Sequence, residues 1–442
     1  QPRRAVADVA EAQARIAARV EKGELVDGQT ILAGDVGLGE LAAEVAERRT
    51  RRQAIVKTAK QLASEGATLG VGFWTDTMRE KLATHLMDEY ADLLLEQLPD
   101  SQYFADSGRP MASIRFKEDW NGAAVFRRSP AMSPMEKEVC RASMQEMLDA
   151  GVIEESVSMF ASPILMVPKP NGSGYRVCVD YRGINKLTVR DRYPLPTVQS
   201  ILDQLQGMTI FSVLDVLSGF FQIQLLPKHR ERSAMASPFG LYQYKVLPMG
   251  LVNAPATFQR TMDHVLRGLE HICAAYVDDI VVFSRTEEEH VGHVEMVLQR
   301  LRDNRIVPKQ SKVQLAKTSV QLLGHTVVGA TAERPTCVAP QAEKLATIRD
   351  WPVPACVADV RSWLGLASYY RRYVWAFSKK AEPLTALTKG DAVWTWGPEQ
   401  QESFETLRDH LLSAPLLAVA DVEGGRDGSR PFRVDTDASG FS

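Results

Sequence analysis

The sequence predicts an α+β fold in which a small antiparallel sheet is backed by helices. Two observations carry this prediction: apolar, strand-like runs flank short turn signals, and several helical segments open with capping residues. The chain has 442 residues, of which 45% are hydrophobic, which is enough for several packed cores. We therefore expect several domains or subdomains.

The composition excludes some classes of protein. No run approaches the roughly 20 apolar residues of a membrane-spanning helix, so no membrane partner is expected. The five cysteines are far apart and form no C-x-x-C pair, which argues against structural zinc or disulfides and predicts an intracellular protein. The net charge of −3 leaves the partner undecided, because a basic groove can bind nucleic acid within an acidic chain.

The first hundred residues have the composition of charged helices, rich in Ala, Glu and Arg. A basic run at residues 48–52 could contact nucleic acid or serve as a nuclear localisation signal. We favour a plainer interpretation, in which the run is the solvated face of a helix.

Two well-marked elements follow. Residues 133–136 (S-P-M-E) supply an N-cap, a proline at the first helical position and a capping-box glutamate, and Gly151 marks the helix end. Residues 164–167 and 175–179 are apolar runs on either side of an N-G pair at residues 171–172. This pattern predicts a β-hairpin.

Two further strand segments carry carboxylates. Residues 209–215 (T-I-F-S-V-L-D) form a mostly apolar run that ends in Asp215. Residues 272–284 are apolar on both sides of Asp278 and Asp279, which fit the tight turn of a second hairpin. Acidic residues are thus expected at the ends of buried strands.

Adjacent carboxylates between buried strands need compensation, because like charges repel and a divalent cation neutralises them. Asp215 could complete an oxygen-rich site for two Mg²⁺ ions about 3.5–4 Å apart, the arrangement that serves nucleotidyl transfer. A pair of aspartates alone, however, is more often only a turn.

The residues around these carboxylates carry a family resemblance. Residues 276–279 (Y-V-D-D) resemble the signature of reverse transcriptases, and residues 215–222 (D-V-L-S-G-F-F-Q) resemble the first metal-binding motif of gypsy-type LTR retrotransposons. Residues 247–259 (L-P-M-G-L-V-N-A-P-A-T-F-Q) are similar to a further motif of that family. Matching segments also lie at residues 177–186, 192–196, 323–325 and 364–372. Residues 85–442 therefore resemble the reverse transcriptase region of a gypsy-type LTR retrotransposon gag-pol polyprotein.

The resemblance implies a right-hand polymerase with an antiparallel palm sheet. Fingers, palm and thumb are expected over residues 85–350, and a connection segment over residues 351–430. Residues 1–84 remain a helical N-terminal extension of unknown role, and residues 431–442 resemble the first strand of an RNase H-like domain. Asp437 would be the first metal ligand of that domain, and we expect no RNase H activity from this chain alone.

The implied activity is RNA-directed DNA polymerisation, in which a primer 3′ end attacks a dNTP on an RNA or DNA template. By resemblance, Asp215 and Asp278 would be the main metal ligands and Asp279 a supporting one. The backbone carbonyl of Val216 would be a further ligand. Mg²⁺ is the expected cofactor, with Mn²⁺ as a substitute.

The resemblance also implies nucleotide contacts. Phe220 would lie under the ribose and exclude a 2′-hydroxyl, so that dNTPs are preferred. Lys169 and Arg176 match two cations that grip the triphosphate, although the family more often has several lysines around position 169. Met249 and Gln259 match the lining of the nucleotide and template pocket.

Three residues are assigned to nucleic acid. Tyr276 belongs to the Y-V-D-D motif, while Arg182 and Lys186 either contact template phosphate or brace the fingers. The expected partners are RNA and DNA template-primer and dNTPs, with a homodimer or heterodimer left open. The expected location is cytoplasmic, in virus-like particles, with the nucleus as a second location.

Histidines outside these motifs receive plainer interpretations. His290 and His293 are three residues apart on a predicted helix, which could suggest a metal site. We predict instead that both lie on a solvated helix face, and that His325 is structural.

Three rival hypotheses stay open. A viral RNA-dependent RNA polymerase would share the palm, but usually has G-D-D and no aromatic residue at the position of Phe220. A domesticated, catalytically inactive element could act as a nucleic-acid-binding protein. The N-terminal helices could also have a capsid-type or scaffold role.

Overall fold

The computed structural model describes residues 75–431, except 106, 124, 170–173, 391 and 430. The chain divides into two compact units, residues 1–72 and 73–442, and the first lies outside the described residues. The basic run at residues 48–52, the N-G pair at 171–172 and Asp437 also lie outside them.

Helices and strands alternate irregularly along the described chain. The helices are α1 (Asp76–Glu89), α2 (Pro134–Asp149), α3 (Arg182–Leu187), α4 (Val198–Gln204), α5 (Pro227–Arg230), α6 (Ala254–Val265), α7 (Glu287–Asp303), α8 (Ala342–Arg349), α9 (Val357–Tyr369), α10 (Phe377–Lys380), α11 (Glu382–Ala386), α12 (Pro398–Leu412) and α13 (Val422–Asp427). The strands are β1 (Ile153–Glu155), β2 (Ser162–Pro168), β3 (Tyr175–Val179), β4 (Ile210–Asp215), β5 (Met235–Ser237), β6 (Gly240–Tyr244), β7 (Cys273–Tyr276), β8 (Asp279–Ser284), β9 (Gln314–Lys317), β10 (Ser319–Leu322), β11 (His325–Val328), β12 (Cys337–Pro340) and β13 (Leu417–Ala418).

The first sheet has the strand order β1-β6-β5-β2-β3 and contains the predicted hairpin. Strands β2 and β3 pair antiparallel, with Val167 opposite Arg176, which confirms the hairpin. The preceding helix α2 begins as predicted: the Ser133 hydroxyl accepts from the Glu136 amide, and the Glu136 carboxylate accepts from the Ser133 amide. Gly151, at φ +63°, follows the end of that helix.

The second sheet, which we call the palm sheet, has the order β7-β8-β4-β9, and its neighbours are antiparallel. Helix α7 packs on one face and buries Val291, Val294 and Leu298. On the other face, Phe211 and Val213 of β4 join a hydrophobic cluster with residues of the third sheet. The predicted antiparallel sheet backed by helices is thus confirmed.

The third sheet has the order β10-β11-β12-β13, and its last strand comes from the predicted connection segment. The C-terminal helices enclose their own core around Trp363 and Phe404. Helix α1 runs without a break across the predicted boundary at residue 84. The boundaries at 84, 350 and 430 therefore stay predictions.

None of the helices in the described ranges combines the length and the apolar character that a membrane crossing requires.

Candidate active site

The palm sheet brings the three predicted aspartates together at one end. Asp215 is the last residue of β4, and the strand register places it opposite Asp279, the first residue of β8. Asp278 precedes Asp279 in the β7–β8 turn. The Asp278 carbonyl accepts a hydrogen bond from the Val216 amide at 2.9 Å. Neighbouring antiparallel strands thus join carboxylates that are more than 60 residues apart in sequence.

The environment of these carboxylates disfavours their charged forms. Burial, with the negative charges of Asp215 and Asp279, raises the pKa of Asp278 to about 6. Burial and the charge of Asp215 also raise the pKa of Asp279. Lys312 acts in the opposite direction on both groups. A cluster of this kind is stabilised by a bound cation.

The space around Asp278 depends on Gly219. The Asp278 Oδ1 atom is buried and has no hydrogen-bond partner in the described part of the chain. A Cβ atom on Gly219 would lie 2.4 Å from this oxygen and 2.8 Å from Cζ of Phe258. A buried oxygen without a partner is unfavourable unless another group satisfies it. Hard carboxylate oxygens suit a divalent cation such as Mg²⁺, so the residues present fit such an ion.

A lysine that the sequence analysis missed contacts the same site. Lys312 Nζ lies 2.9 Å from Oδ2 and 3.1 Å from Oδ1 of Asp215. Within the described residues, no three carboxylate, imidazole or thiolate groups are already arranged to hold a metal ion. The three aspartates are therefore neighbours but are not arranged as a ready set of metal ligands, and Asp215 is paired with an ammonium group. No local signal identifies Lys312, because 97 residues separate it from Asp215.

The turn that carries Asp278 has an unfavourable backbone conformation at Val277, which hydrogen bonds with the Gln259 side chain stabilise. Val277 has φ +52°, a left-handed conformation that β-branched residues rarely adopt. The buried Gln259 side chain accepts from the Val277 amide at 2.8 Å and donates to the Ala275 carbonyl at 3.0 Å. Its amide group also donates to Asp263 at 2.8 Å. Gln259 therefore holds the turn, and its predicted contact with the nucleotide stays a prediction.

Other residues predicted to bind nucleotide or nucleic acid lie in different surroundings. Phe220 follows Gly219 in a short 3₁₀ turn, and its half-buried ring packs on Phe258 at 5.5 Å between centroids. Met249 is 53% exposed in the loop before α6. Tyr276 is half-buried and packs against the cluster between the palm sheet and the third sheet.

The two predicted triphosphate cations lie at the end of the β2–β3 hairpin. The side chains of Lys169 and Arg176 are both exposed. The Lys169 amide donates to the Gly174 carbonyl at 2.8 Å, which closes the hairpin around residues 170–173. Both assignments stay predictions.

Arg182 and Lys186, each predicted to contact template phosphate or to brace the fingers, have different surroundings. The Arg182 guanidinium forms two hydrogen bonds with Asp180, from Nε at 2.8 Å and Nη2 at 2.7 Å. These bonds hold the pKa of Asp180 down at about 2. This contact is the one expected of a residue that braces the fingers, and contact of Arg182 with template phosphate stays a prediction. Lys186 instead lines a groove of about 520 Å³ with three other basic residues, Lys117, Arg190 and Arg192.

The predicted solvated face for His290 and His293 is wrong for His290, which is 1% exposed. Its Nε2 lies 2.7 Å from Ser212 Oγ, and its Nδ1 lies 2.8 Å from Ser284 Oγ. His293 Nδ1 reaches the same Ser284 hydroxyl at 2.8 Å. The serines of β4 and β8 give His290 polar partners inside the core, which a helical pattern alone does not reveal. Burial lowers the pKa of His290 to about 3.

The structural role predicted for His325 is confirmed. His325 is buried, and its Nδ1 lies 2.8 Å from the Leu323 carbonyl. Its ring packs among Tyr369, Tyr370 and Tyr373. These contacts connect the third sheet with the C-terminal helices.

Comparison with known proteins agrees with this site. Residues 167–327 match the family described as reverse transcriptase (RNA-dependent DNA polymerase). The chain is 36% identical over 306 residues to the retrovirus-related Pol polyprotein from transposon 297 of Drosophila melanogaster, covering 68% of this chain and 28% of that protein. It is 35% identical over 314 residues to the corresponding polyprotein from transposon gypsy of the same organism, covering 67% and 29%. The chain thus spans less than a third of these curated relatives.

A solved structure has a similar fold. The foamy viral protease-reverse transcriptase, in complex with an RNA/DNA hybrid, superposes with a TM-score of 0.66 at 22% identity. The match covers 78% of this chain and 45% of that one. At this identity the likeness concerns the fold alone, and it confirms the predicted polymerase fold.

The matched residues contain both strands of the palm hairpin and all three aspartates. Enzymes of this family use divalent metal ions, which agrees with the carboxylates of Asp215 and Asp279 near Asp278. We conclude that the chain carries a reverse transcriptase domain of the gypsy-type LTR retrotransposon class.

Proposed function

We propose that this chain is an RNA-directed DNA polymerase that extends a primer with dNTPs during retrotransposon replication. The observation that carries the proposal is the carboxylate arrangement at the end of the palm sheet. Asp215 and Asp279 face each other across two strands, and a buried oxygen of Asp278, packed against Gly219, has no hydrogen-bond partner among the described residues.

The side chains of Asp215 and Asp278 would hold divalent ions, with Asp279 and the Val216 carbonyl in support. Mg²⁺, or Mn²⁺ in its place, when bound supplies activation of the primer hydroxyl and neutralisation of the leaving pyrophosphate. The protein fixes the positions of the carboxylates. Gln259 accepts a hydrogen bond from the Val277 amide, which holds the turn that carries Asp278. Fixed geometry of this kind is a large part of catalysis in nucleotidyl transfer.

The incoming dNTP would lie between the fingers hairpin and the palm. Lys169 and Arg176 are exposed cations that would contact the triphosphate, where charge develops as the bond breaks. Phe220 is adjacent to the glycine that shapes the metal site, where its ring would exclude a ribose 2′-hydroxyl. Met249 would line the same pocket.

RNA or DNA template-primer is the proposed partner. Support comes from the similarity to a viral enzyme solved with an RNA/DNA hybrid, and from the basic groove that contains Lys186. Dimer formation and a location in cytoplasmic particles or the nucleus remain proposals of the same kind.

Primer extension tests the proposal. The purified chain is supplied with an RNA template, a DNA primer and Mg²⁺ or Mn²⁺, in parallel with dNTPs and with NTPs. We expect extension with dNTPs, and a loss of at least about 100-fold in Asp278→Asn, because one ligand carboxylate is removed. Asp88→Asn, an exposed carboxylate change on α1, is the matched control and should extend normally.

Two outcomes would contradict the proposal. Preference for NTPs would indicate an RNA polymerase. Folded protein that binds template-primer without extending it would favour a catalytically inactive nucleic-acid-binding element.

A further inference from the structure

The ion pair between Lys312 and Asp215 lies inside the proposed metal site. Lys312 ends the short 3₁₀ turn Gln310–Lys312, just before β9. Its Nζ contacts both carboxylate oxygens of Asp215, at 2.9 and 3.1 Å. A cation therefore already occupies one side of a carboxylate proposed to bind metal.

The position of this lysine follows from the backbone. The Lys309 amide donates to the Asp215 carbonyl at 2.8 Å, and Val216 forms an antiparallel bridge with Pro308. These bonds hold the turn beside the end of β4 without any contribution from the Lys312 side chain. Replacing that side chain should therefore leave the turn in place.

We propose that Lys312 is a built-in placeholder cation, which holds Asp215 in the metal-free protein and must release it before a divalent ion binds. Lys312 thereby lowers the apparent metal affinity of the site. The inference rests on the proposed function, because it concerns the metal ions of that reaction.

Exposure and charge explain why the lysine can be displaced. The Lys312 side chain is 56% exposed and that of Asp215 26% exposed, so the ammonium group can move into water without breaking a buried contact. Among the residues that the structure describes, Lys312 carries one charge and forms its ion pair with Asp215, while Asp278 Oδ1 has no hydrogen-bond partner. A divalent ion carries two charges and would satisfy both carboxylates, so it should displace the lysine.

The size of the effect follows from the strength of exposed ion pairs. A partly exposed ion pair of this kind contributes little free energy, because solvent screens the two charges. The protein must spend part of its time with Lys312 released, and the apparent metal affinity is reduced by that fraction. We therefore expect removal of the ammonium group to tighten metal binding by about threefold to fivefold.

Mn²⁺ binding to the chain, without nucleic acid or nucleotide, tests the inference. Free Mn²⁺ is measured by electron paramagnetic resonance for the wild type, Lys312→Met, Lys312→Arg and Lys309→Met. Lys312→Met should bind Mn²⁺ about threefold to fivefold more tightly than the wild type, and Lys312→Arg should not. Lys309→Met removes the same charge three residues earlier and keeps the backbone bond to Asp215, so it should change the affinity little.

The outcomes separate the inference from the proposed function. Equal affinities for the wild type and Lys312→Met would overturn the inference, as would equal gains in Lys312→Met and Lys309→Met. Absence of Mn²⁺ binding in all four proteins would overturn the metal site of the proposed function, and the inference with it.

A second measurement uses the wild-type protein. Metal binding and release of Lys312 from Asp215 are coupled equilibria. The factor by which the Lys312 ion pair weakens Mg²⁺ binding therefore equals the factor by which Mg²⁺ favours released Lys312. Acylation of amines, followed by mass spectrometry, should show Lys312 reacting about threefold to fivefold faster with saturating Mg²⁺, relative to Lys309. An unchanged ratio would overturn the inference.

Discussion

At the scale of single residues, the carboxylate site depends on the absence of a side chain at Gly219. Asp278 Oδ1 and the Phe258 ring occupy the space where a Cβ atom would lie, at 2.4 and 2.8 Å. Real Cβ atoms do not approach other atoms so closely, so any substitution must move the carboxylate or the ring. A shift of about 1 Å at reacting groups can lower a rate by on the order of 100-fold.

Gly219→Ala should therefore lower kcat/KM for primer extension by on the order of 100-fold. Unfolding by urea should show a smaller loss of stability, about 1–3 kcal/mol, which is typical of overpacking. Gly292→Ala is the matched control, because a Cβ atom there meets nothing within 4 Å. Near-normal activity in Gly219→Ala would contradict the steric argument.

At the scale of elements, a buried polar network joins β4, the strand that ends in Asp215, to β8, β9 and α7. Ser212 Oγ accepts from the Ala316 amide at 3.0 Å and contacts His290 Nε2. One arrangement satisfies all three contacts: Ser212 donates to His290 Nε2, His290 Nδ1–H donates to Ser284, and Ser284 donates to His293 Nδ1. This arrangement requires neutral His290, in agreement with a pKa of about 3.

The network predicts a pH dependence of stability. His290 has a pKa lowered from 6.5 to about 3, so below pH 6.5 the unfolded chain binds a proton that the folded chain does not. Stability from neutral His290 is therefore complete above pH 6.5 and falls as the pH drops towards 3. The slope of the unfolding free energy is at most about 1.4 kcal/mol per pH unit for one proton.

Urea unfolding between pH 7 and 4.5 measures this slope. The wild type should lose stability more steeply than His290→Gln, while the exposed His264→Gln should follow the wild type. Parallel curves for the wild type and His290→Gln would mean that His290 is not held neutral.

At the scale of the whole molecule, the net charge is −3, yet the described residues include both an acidic cluster and a basic groove. The three aspartates lie at the end of the palm sheet, while Lys117, Lys186, Arg190 and Arg192 line one groove. Binding of nucleic acid depends on such local charge, since each phosphate contact releases counterions. The basic groove is therefore a candidate path for template phosphates.

The double variant Lys186→Gln, Arg190→Gln should bind template-primer with a weaker salt dependence. The slope of log K against log salt should become shallower by about 2, because two phosphate contacts are lost. The control is the double variant Lys81→Gln, Lys137→Gln, which removes the same number of positive charges at exposed positions of α1 and α2. Fluorescence anisotropy at several salt concentrations gives both slopes. Equal slopes in the two double variants would exclude the groove as a phosphate site.

Much of this molecule could be predicted from local sequence. The cap at Ser133, the hairpin around residues 171–172 and the strands ending in Asp215 and opening at Asp279 depend on neighbouring residues, so their signals are short and legible. The ordered motifs identified the reverse transcriptase class for the same reason.

Tertiary structure alone decided the contacts between distant segments. Lys312 reaches Asp215 across 97 residues, and His290 faces inward because β4 and β8 offer it serine hydroxyls. Gln259 reaches the Val277 amide because α6 packs beside β7. Capping and periodicity act over a few residues, whereas burial and ion pairing depend on which segments meet in space, and packing determines that.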